Sequence, residues 1–270
     1  MTRADVDPTT ELILGNDWGV RREWLEFATT QTACVPIVAE ADGEIVGTGV
    51  GTASGAAGWI GTIFIAPDRR GHGLGRAITQ SIIDRLESAG CRSLVLVATR
   101  EGRRLYERMG FEVQTQYRIL QAVGLPPVDQ DDGVRPFEPA DLPALERLDR
   151  EATGEDRGHA VRRLADTETA KVVASADGGI DGFVIRAPWG GGATIARSAD
   201  AALRIVTARR RAAGPEGRVR VGLLDENVDG LARLAEVGLR LTWSAPRMVR
   251  GEPLVWHPDW IWGQFNHAMG

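Results

Sequence analysis

Lysine is almost missing from this 270-residue chain: Lys171 is the only one, and arginine supplies the rest of the 32 basic residues. A phosphate loop of the Gly-x4-Gly-Lys-Ser/Thr kind is thereby excluded, because no glycine series surrounds Lys171. Cysteine is nearly as scarce. Cys34 and Cys91 are too few for a disulfide framework or a zinc site, and each sits in or beside an apolar stretch as a small buried residue would. The sequence holds no apolar run long enough to cross a membrane. Its start carries Asp5, Asp7 and Glu11 and lacks the apolar core of a secretory signal, so a cytoplasmic location is expected. Positive charge is not in excess either. A net charge of −5 and a pI near 5.5 argue against a general nucleic-acid or acidic-membrane surface.

What remains is an ordinary globular composition, 43% hydrophobic and 26% charged, in a chain longer than most single domains. Its centre is residues 59–76, Trp-Ile-Gly-Thr-Ile-Phe-Ile-Ala-Pro-Asp-Arg-Arg-Gly-His-Gly-Leu-Gly-Arg. The β-branched run 60–65 reads as a buried strand that Pro67 stops. Gly71, Gly73 and Gly75 follow at alternating positions. Then Ile78, Ile82, Ile83 and Leu86 mark one face of a helix. Strand, glycine turn and helix start together suit a phosphate. Glycines let backbone N–H groups approach a ligand, the helix start adds unpaired donors, and Arg70 and Arg76 bring full charges. The dinucleotide pattern Gly-x-Gly-x-x-Gly fails, since Arg76 stands where its third glycine belongs.

What fits is Arg-x-x-Gly-x-Gly at Arg70, Gly73 and Gly75, which resembles the pyrophosphate loop of the GNAT superfamily of acetyltransferases. A second segment, Leu105-Tyr106-Glu-Arg-Met-Gly110-Phe111, resembles that family's Leu-Tyr-x-x-x-Gly-Phe. The resemblance implies an α/β (α+β) fold and acetyl-CoA as co-substrate, without metal. It implies cofactor binding by Ile63, Phe64, Ile65, Arg70, Gly71, His72, Gly73, Leu74, Gly75, Arg76, Thr99 and Gly102. It makes Tyr106 the catalytic proton donor to the departing thiolate. The alternative for Tyr106 is a half-buried amphipathic residue.

The second half repeats the first. Residues 39–47 align without a gap on residues 174–182, six of nine positions being identical at an offset of 135. A strand near 194–196, a helix at 200–213, a strand at 218–224, a short helix at 228–237 and a strand at 241–249 then follow in the order of the first half. Two tandem GNAT-like domains are expected, each a mixed, mostly antiparallel sheet flanked by helices. Residues 1–121 form the acetyl-CoA-binding catalytic domain. Residues 122–133 form a linker, and residues 134–270 a degenerate copy with a tryptophan-rich tail. The copy is degenerate because Ala196-Arg-Ser-Ala-Asp200 replaces the glycine track and Leu234 falls near the tyrosine position. Residues 148–151, 154–157 and 247–251 also look like the C-terminal module of two-domain bacterial members. Trp243, Trp256, Trp260 and Trp262 exceed what an exposed tail carries, so residues 254–270 are expected to pack against a domain or a second subunit.

In the family, acetyl-CoA lies where two adjacent strands splay, here residues 60–65 and 93–98, and an amine attacks in a ternary complex. A small-molecule or peptide amine acceptor is implied, with no nucleic acid and no membrane, and a homodimer as the commonest assembly. Residues 59–65 lack the carboxylate that many members use as base, with Glu26, Glu40 or water as substitutes, and Val97 replaces an aspartate common in related two-domain proteins. His72 reads as a loop spacer. The charged pairs Asp149/Glu151 and Glu155/Asp156 read as solvated ion pairs, or else as a cationic-acceptor site. Two rivals remain: a non-catalytic acyl-CoA-binding protein, and an enzyme using the loop for ATP or NAD.

Overall fold

The Ala-Asp-Gly hairpin forms as its residues dictate. Asp42 and Gly43 take positive φ angles of 56° and 82°, the geometry of a two-residue turn that keeps the twist of its strands. The strands are β1 (Cys34–Ala41) and β2 (Glu44–Ser54). The computed structural model describes residues 1–16, 18–19, 21–128, 133–176 and 178–270. Asp17, residues 129–132 of the expected linker, and Asp177 of the second hairpin lie outside the described residues.

After the hairpin come β3 (Ala57–Ile65), α3 (Leu74–Ser88), β4 (Ser93–Val97), α4 (Arg100–Arg108) and β5 (Glu112–Val123). Before it lie α1 (Val6–Leu14) and α2 (Arg22–Thr30). The sequence suggests a polar arm at residues 1–15 with one apolar patch at Leu12, Ile13 and Leu14, whereas α1 is a helix that buries Val6 as well as Ile13. Thr9 and Thr10, buried on the same face, conceal the periodicity. The Thr10 hydroxyl satisfies itself by donating to the Val6 carbonyl at 2.7 Å.

The second half runs β6 (Val134–Pro136), α5 (Leu142–Thr153), α6 (Gly158–Leu164), β7 (Ala170–Ala174), β8 (Ile180–Arg186) and β9 (Gly192–Ala196). It continues with α7 (Ala199–Ala213), β10 (Arg218–Leu224), α8 (Val228–Glu236), β11 (Arg240–Gly251) and β12 (Ile261–Gly263). Two sheets result. One has the order β1-β2-β3-β4-β11-β5-β10, the other β12-β9-β8-β7-β6. Among the described residues only β3 and β4 pair in parallel.

The first sheet is shared by both halves of the chain. Strand β11 enters between β4 and β5, pairing antiparallel with each, and β5 in turn lies between β11 and β10. Each half thus contributes a long strand, β5 or β11, that lies between strands of the other half. Helix α3 packs closely on one face of this sheet. A Cβ on Gly49 would lie 2.6 Å from Ile78 and 2.7 Å from Ile63, so only glycine admits the helix at this depth. The opposite face, with Val50 and Phe64, is buried in a core shared with Leu145, Leu148, Val161, Phe265 and Met269 from the second half. Of the four tryptophans counted, Trp262 is buried with Phe265 and Met269 of the tail, Trp256 and Trp260 are half-buried against the same core, and Trp243 is 41% exposed.

Both cysteines are buried, and burial pushes the Cys34 thiol up to about 11 and raises Cys91 too. Only about a thousandth of Cys34 is thiolate at pH 8. The native protein is therefore expected to leave both thiols unlabelled by an aromatic disulfide reagent within minutes, and to expose two per chain in denaturant. Fast labelling of either in the native state would contradict the packing.

Candidate active site

The site begins with a parting of strands. The parallel ladder joins Ala57, Gly58 and Trp59 to Ser93, Leu94 and Val95, and stops there. From Ile60 onward β3 stays with β2, while the Ala98 N–H donates to Pro246 of β11 at 3.0 Å. Among the described residues nothing pairs with the edge of residues 60–65 toward β4, where Ile63, Phe64 and Ile65 stand, so that edge can receive an extended ligand as an added strand. A bulge marks the divergence. Thr62 holds φ at +54°, an uncommon state for a β-branched residue, and the β2–β3 register shifts beside it. Its hydroxyl accepts from the Trp24 indole N–H at 2.9 Å. No sequence signal marks Thr62, because nothing local requires a threonine to bulge.

Beyond β3 lies the glycine loop. Gly71 and Gly73 have φ of +82° and +83°, with open space where a side chain would stand. Gly73 is the N-cap of α3 and offers no side chain to the helix. The first helical bond is Ala77 N–H to Gly73 O at 3.0 Å. Among the described residues the N–H groups of Leu74, Gly75 and Arg76 are therefore unpaired donors at the positive end of a 15-residue helix. His72 and Arg76 are exposed beside them. Arg70 is exposed but turned back: its Nε–H donates to Ile65 O at 3.0 Å and its guanidinium lies 5.9 Å from the Phe64 ring centre. That contact links the loop to the last residue of β3.

Helix α4 closes the other side. Thr99 is its N-cap, accepting from the Gly102 N–H at 3.1 Å. The Tyr106 ring covers Gly102 so closely that a Cβ there would lie 2.9 Å from the ring. Tyr106 is buried, packs edge-on against Phe111 at 6.2 Å, and burial pushes its phenol up to about 12. Its hydroxyl has no hydrogen-bond partner among the described residues. The Leu105 side chain lies 3.6 Å from a Cβ at Gly75, so α4 and the loop adjoin.

The second half keeps the order of elements but closes the equivalent loop. Ser198 caps α7 with its own side chain, accepting from the Ala201 N–H at 3.2 Å, and Asp200 pairs with Arg233 at 2.6 Å. Leu234 is fully buried.

The face of β3 opposite α3 carries charges that the sequence reading places in solvent. The Trp59 indole N–H donates to both oxygens of Glu155, at 3.0 and 2.9 Å, and burial raises the Glu155 carboxyl above the usual range. Asp149 and Arg157 form a bidentate pair at 2.6 and 3.0 Å, both buried. Only Glu151, paired with Arg197, and Asp156, paired with Arg150, are the solvated ion pairs expected. The tail crosses this face: a Cβ on Gly61 would lie 2.6 Å from Ala268. Among the described residues no group of three His, Cys, Asp or Glu could hold a metal ion, and no helix is long and apolar enough to cross a membrane.

Comparison with known proteins agrees in both halves. Residues 5–111 match the Acetyltransferase (GNAT) family and residues 145–262 an Acetyltransferase (GNAT) domain. No curated protein matches the chain. Among solved structures, a Pyrococcus horikoshii protein assigned to the acetyltransferases superposes with a TM-score of 0.84 at 18% identity, over 100% of this chain and 94% of that one. A GCN5-related N-acetyltransferase from Sphaerobacter thermophilus gives 0.65 at 17% identity, covering 95% and 96%. A tandem GNAT protein from the clavulanic acid biosynthesis pathway gives 0.60 at 14% identity, covering 94% and 98%. At these identities the likeness is one of fold.

Proposed function

The chain belongs to the GNAT acetyltransferase family, as two such domains in tandem, and we propose that its first half transfers an acetyl group from acetyl-CoA to a primary amine. The observation that carries this reading is the parting of β3 from β4 directly upstream of an uncapped helix start. Acetyl-CoA supplies the activated thioester. Gly71, His72, Gly73, Leu74, Gly75 and Arg76 hold its pyrophosphate through backbone donors and charge, with Arg70 bracing the loop. The free edge at Ile63, Phe64 and Ile65 holds the extended arm, and Thr99 and Gly102 border it. Transfer is direct, in a ternary complex, so positioning supplies much of the rate. The second half lacks an open loop and shapes the acceptor side. Residues 122–133 serve as the link between domains 1–121 and 134–270. The setting is cytoplasmic, where such thioesters are made.

Tyr106 keeps its proton at neutral pH, which suits a group that supplies one to a departing thiolate. Tyr106→Phe is expected to lower kcat about 100-fold while leaving acetyl-CoA affinity unchanged. An unchanged kcat would make Tyr106 a packing residue against Phe111.

Calorimetric titration with acetyl-CoA, ATP and NADH tests the cofactor, and release of free CoA across an amine panel tests the transfer. Acetyl-CoA alone should bind. Binding of ATP or NADH instead would overturn the reading. The tail lying over Gly61, together with the lack of a carboxylate on β3, favours a second reading, a non-catalytic acyl-CoA-binding protein. Turnover of any amine excludes it.

A further inference from the structure

On the face of the first sheet away from α3 lies a buried cation with too few partners. Arg247 of β11 is 1% exposed, and it sits in register with Val97, the last residue of β4, where β3 and β4 have already parted. Its guanidinium is sandwiched between two indoles, 5.5 Å from the centre of Trp59 and 4.4 Å from that of Trp256. A guanidinium has five N–H donors. Among the described residues one of them has an acceptor, the Gln114 side-chain oxygen, and Nε–H has none. Glu155 and Glu226 are near enough to be felt, but among the described residues no carboxylate comes within 4.0 Å of Arg247. Asp149, the other buried carboxylate nearby, is already committed to Arg157 through both oxygens.

Burying a charge without a contact partner is expensive, and each unmade hydrogen bond to it adds to the penalty. Here the unsatisfied cation adjoins a space. Arg247 lines a cavity of about 120 Å³ together with Ser93, Gln114, Val249 and the backbone turn at Gly251 and Glu252. A planar, doubly donating guanidinium matches the two oxygens of a carboxylate, the smaller of the oxyanions it pairs with in this way, and Ser93 and Gln114 add polar lining. Glu252 at the rim is tied to Arg92 at 2.8 Å.

We propose that this cavity binds the carboxylate of the acceptor, so that the amine acetylated is one that also carries an acid group, such as a small amino acid. This rests on the acetyltransferase reading, since it places the acceptor on the sheet face opposite the cofactor helix. The carboxylate would anchor on Arg247 and leave the amine free toward the gap beyond Val97.

Two measurements test it separately. The first needs no cofactor: sodium acetate, acetamide and sodium chloride are titrated at constant ionic strength while indole emission is followed, because Trp59 and Trp256 flank the guanidinium. Acetate should give a saturable change, acetamide and chloride none, and Arg247→Gln should abolish it. The second compares initial acetylation rates of β-alanine and β-alaninamide. The acid should be favoured at least 10-fold in kcat/KM, the ratio should fall to about one in Arg247→Gln, and Arg247→Lys, which keeps the charge and the stem, should retain part of it. Circular dichroism of the Lys variant guards against a folding defect. If acetate binds but acid and amide react alike, the carboxylate belongs to a free effector and the acceptor assignment is overturned. If acetate has no effect on the native protein, Arg247 is a packed structural cation and the site itself is overturned. Absence of acetyl-CoA binding would instead sink the acetyltransferase reading, and the acetate titration would still report on the cavity.

Discussion

Asp149→Leu is expected to destabilise the protein by about 3–5 kcal/mol, which for a chain of this size lowers the melting temperature by about 10 °C. The effect is large because of what remains behind. Arg157 is fully enclosed, 2% exposed, and its Nε–H and one Nη–H both donate to Asp149. With that carboxylate gone the cation stays buried beside Tyr117, Phe265 and the already engaged Glu155, and two of its N–H donors lose their acceptor. The prediction has an internal control. Replacing both partners, Asp149→Leu with Arg157→Met, removes the stranded charge, and the pair should melt closer to the native protein than Asp149→Leu alone. A single variant that melts within about 2 °C of native would mean that the guanidinium has found another partner or an exit to solvent. Arg157 also lies 5.3 Å from the Phe265 ring centre, so the single variant should loosen the tail and hasten its proteolysis.

That buried pair was not legible in the sequence, and the reason is physical. Acids alternating with arginines on a helix are usually solvated, and Glu151 and Asp156 behave that way. Nothing local separates them from Asp149 and Glu155, whose burial depends on β3 and the tail arriving from elsewhere in the chain. The glycine loop, the Asp42-Gly43 turn and the tyrosine helix were legible because each is specified within a few residues by backbone freedom, charge and periodicity. The exchange of β5 and β11 was not, since nothing in the residues of either mixed polar and apolar strand says which half-sheet it enters. The repeat at offset 135 announced two copies of one fold, but not that each copy finishes the other. Arg247 illustrates the difference. Its segment could be picked out, yet its role depends on standing opposite Val97 between two indoles from distant parts of the chain.

Gly73→Asp is expected to weaken acetyl-CoA binding at least 100-fold, about 2.7 kcal/mol, while leaving the fold intact. Three terms act together. At φ +83° a residue with a Cβ is strained by about 1–2 kcal/mol, which pulls the loop away from its open shape. A carboxylate at the head of α3 competes with the ligand for the unpaired N–H groups of Leu74, Gly75 and Arg76. It also places negative charge where the pyrophosphate should lie. The fold tolerates the change because nothing lies within 4 Å of a Cβ at this position. Comparison separates the terms. Gly73→Ala carries the strain without the charge and should lose less, and Gly73→Asn, whose side-chain oxygen competes for the same N–H groups without a charge, should fall between. Titration of acetyl-CoA against the three variants therefore ranks them Ala, Asn, Asp in increasing loss. If Gly73→Asp binds as the native protein does, the loop is not the phosphate cradle. If all three lose binding equally, backbone shape decides the matter and the helix start contributes no electrostatic preference.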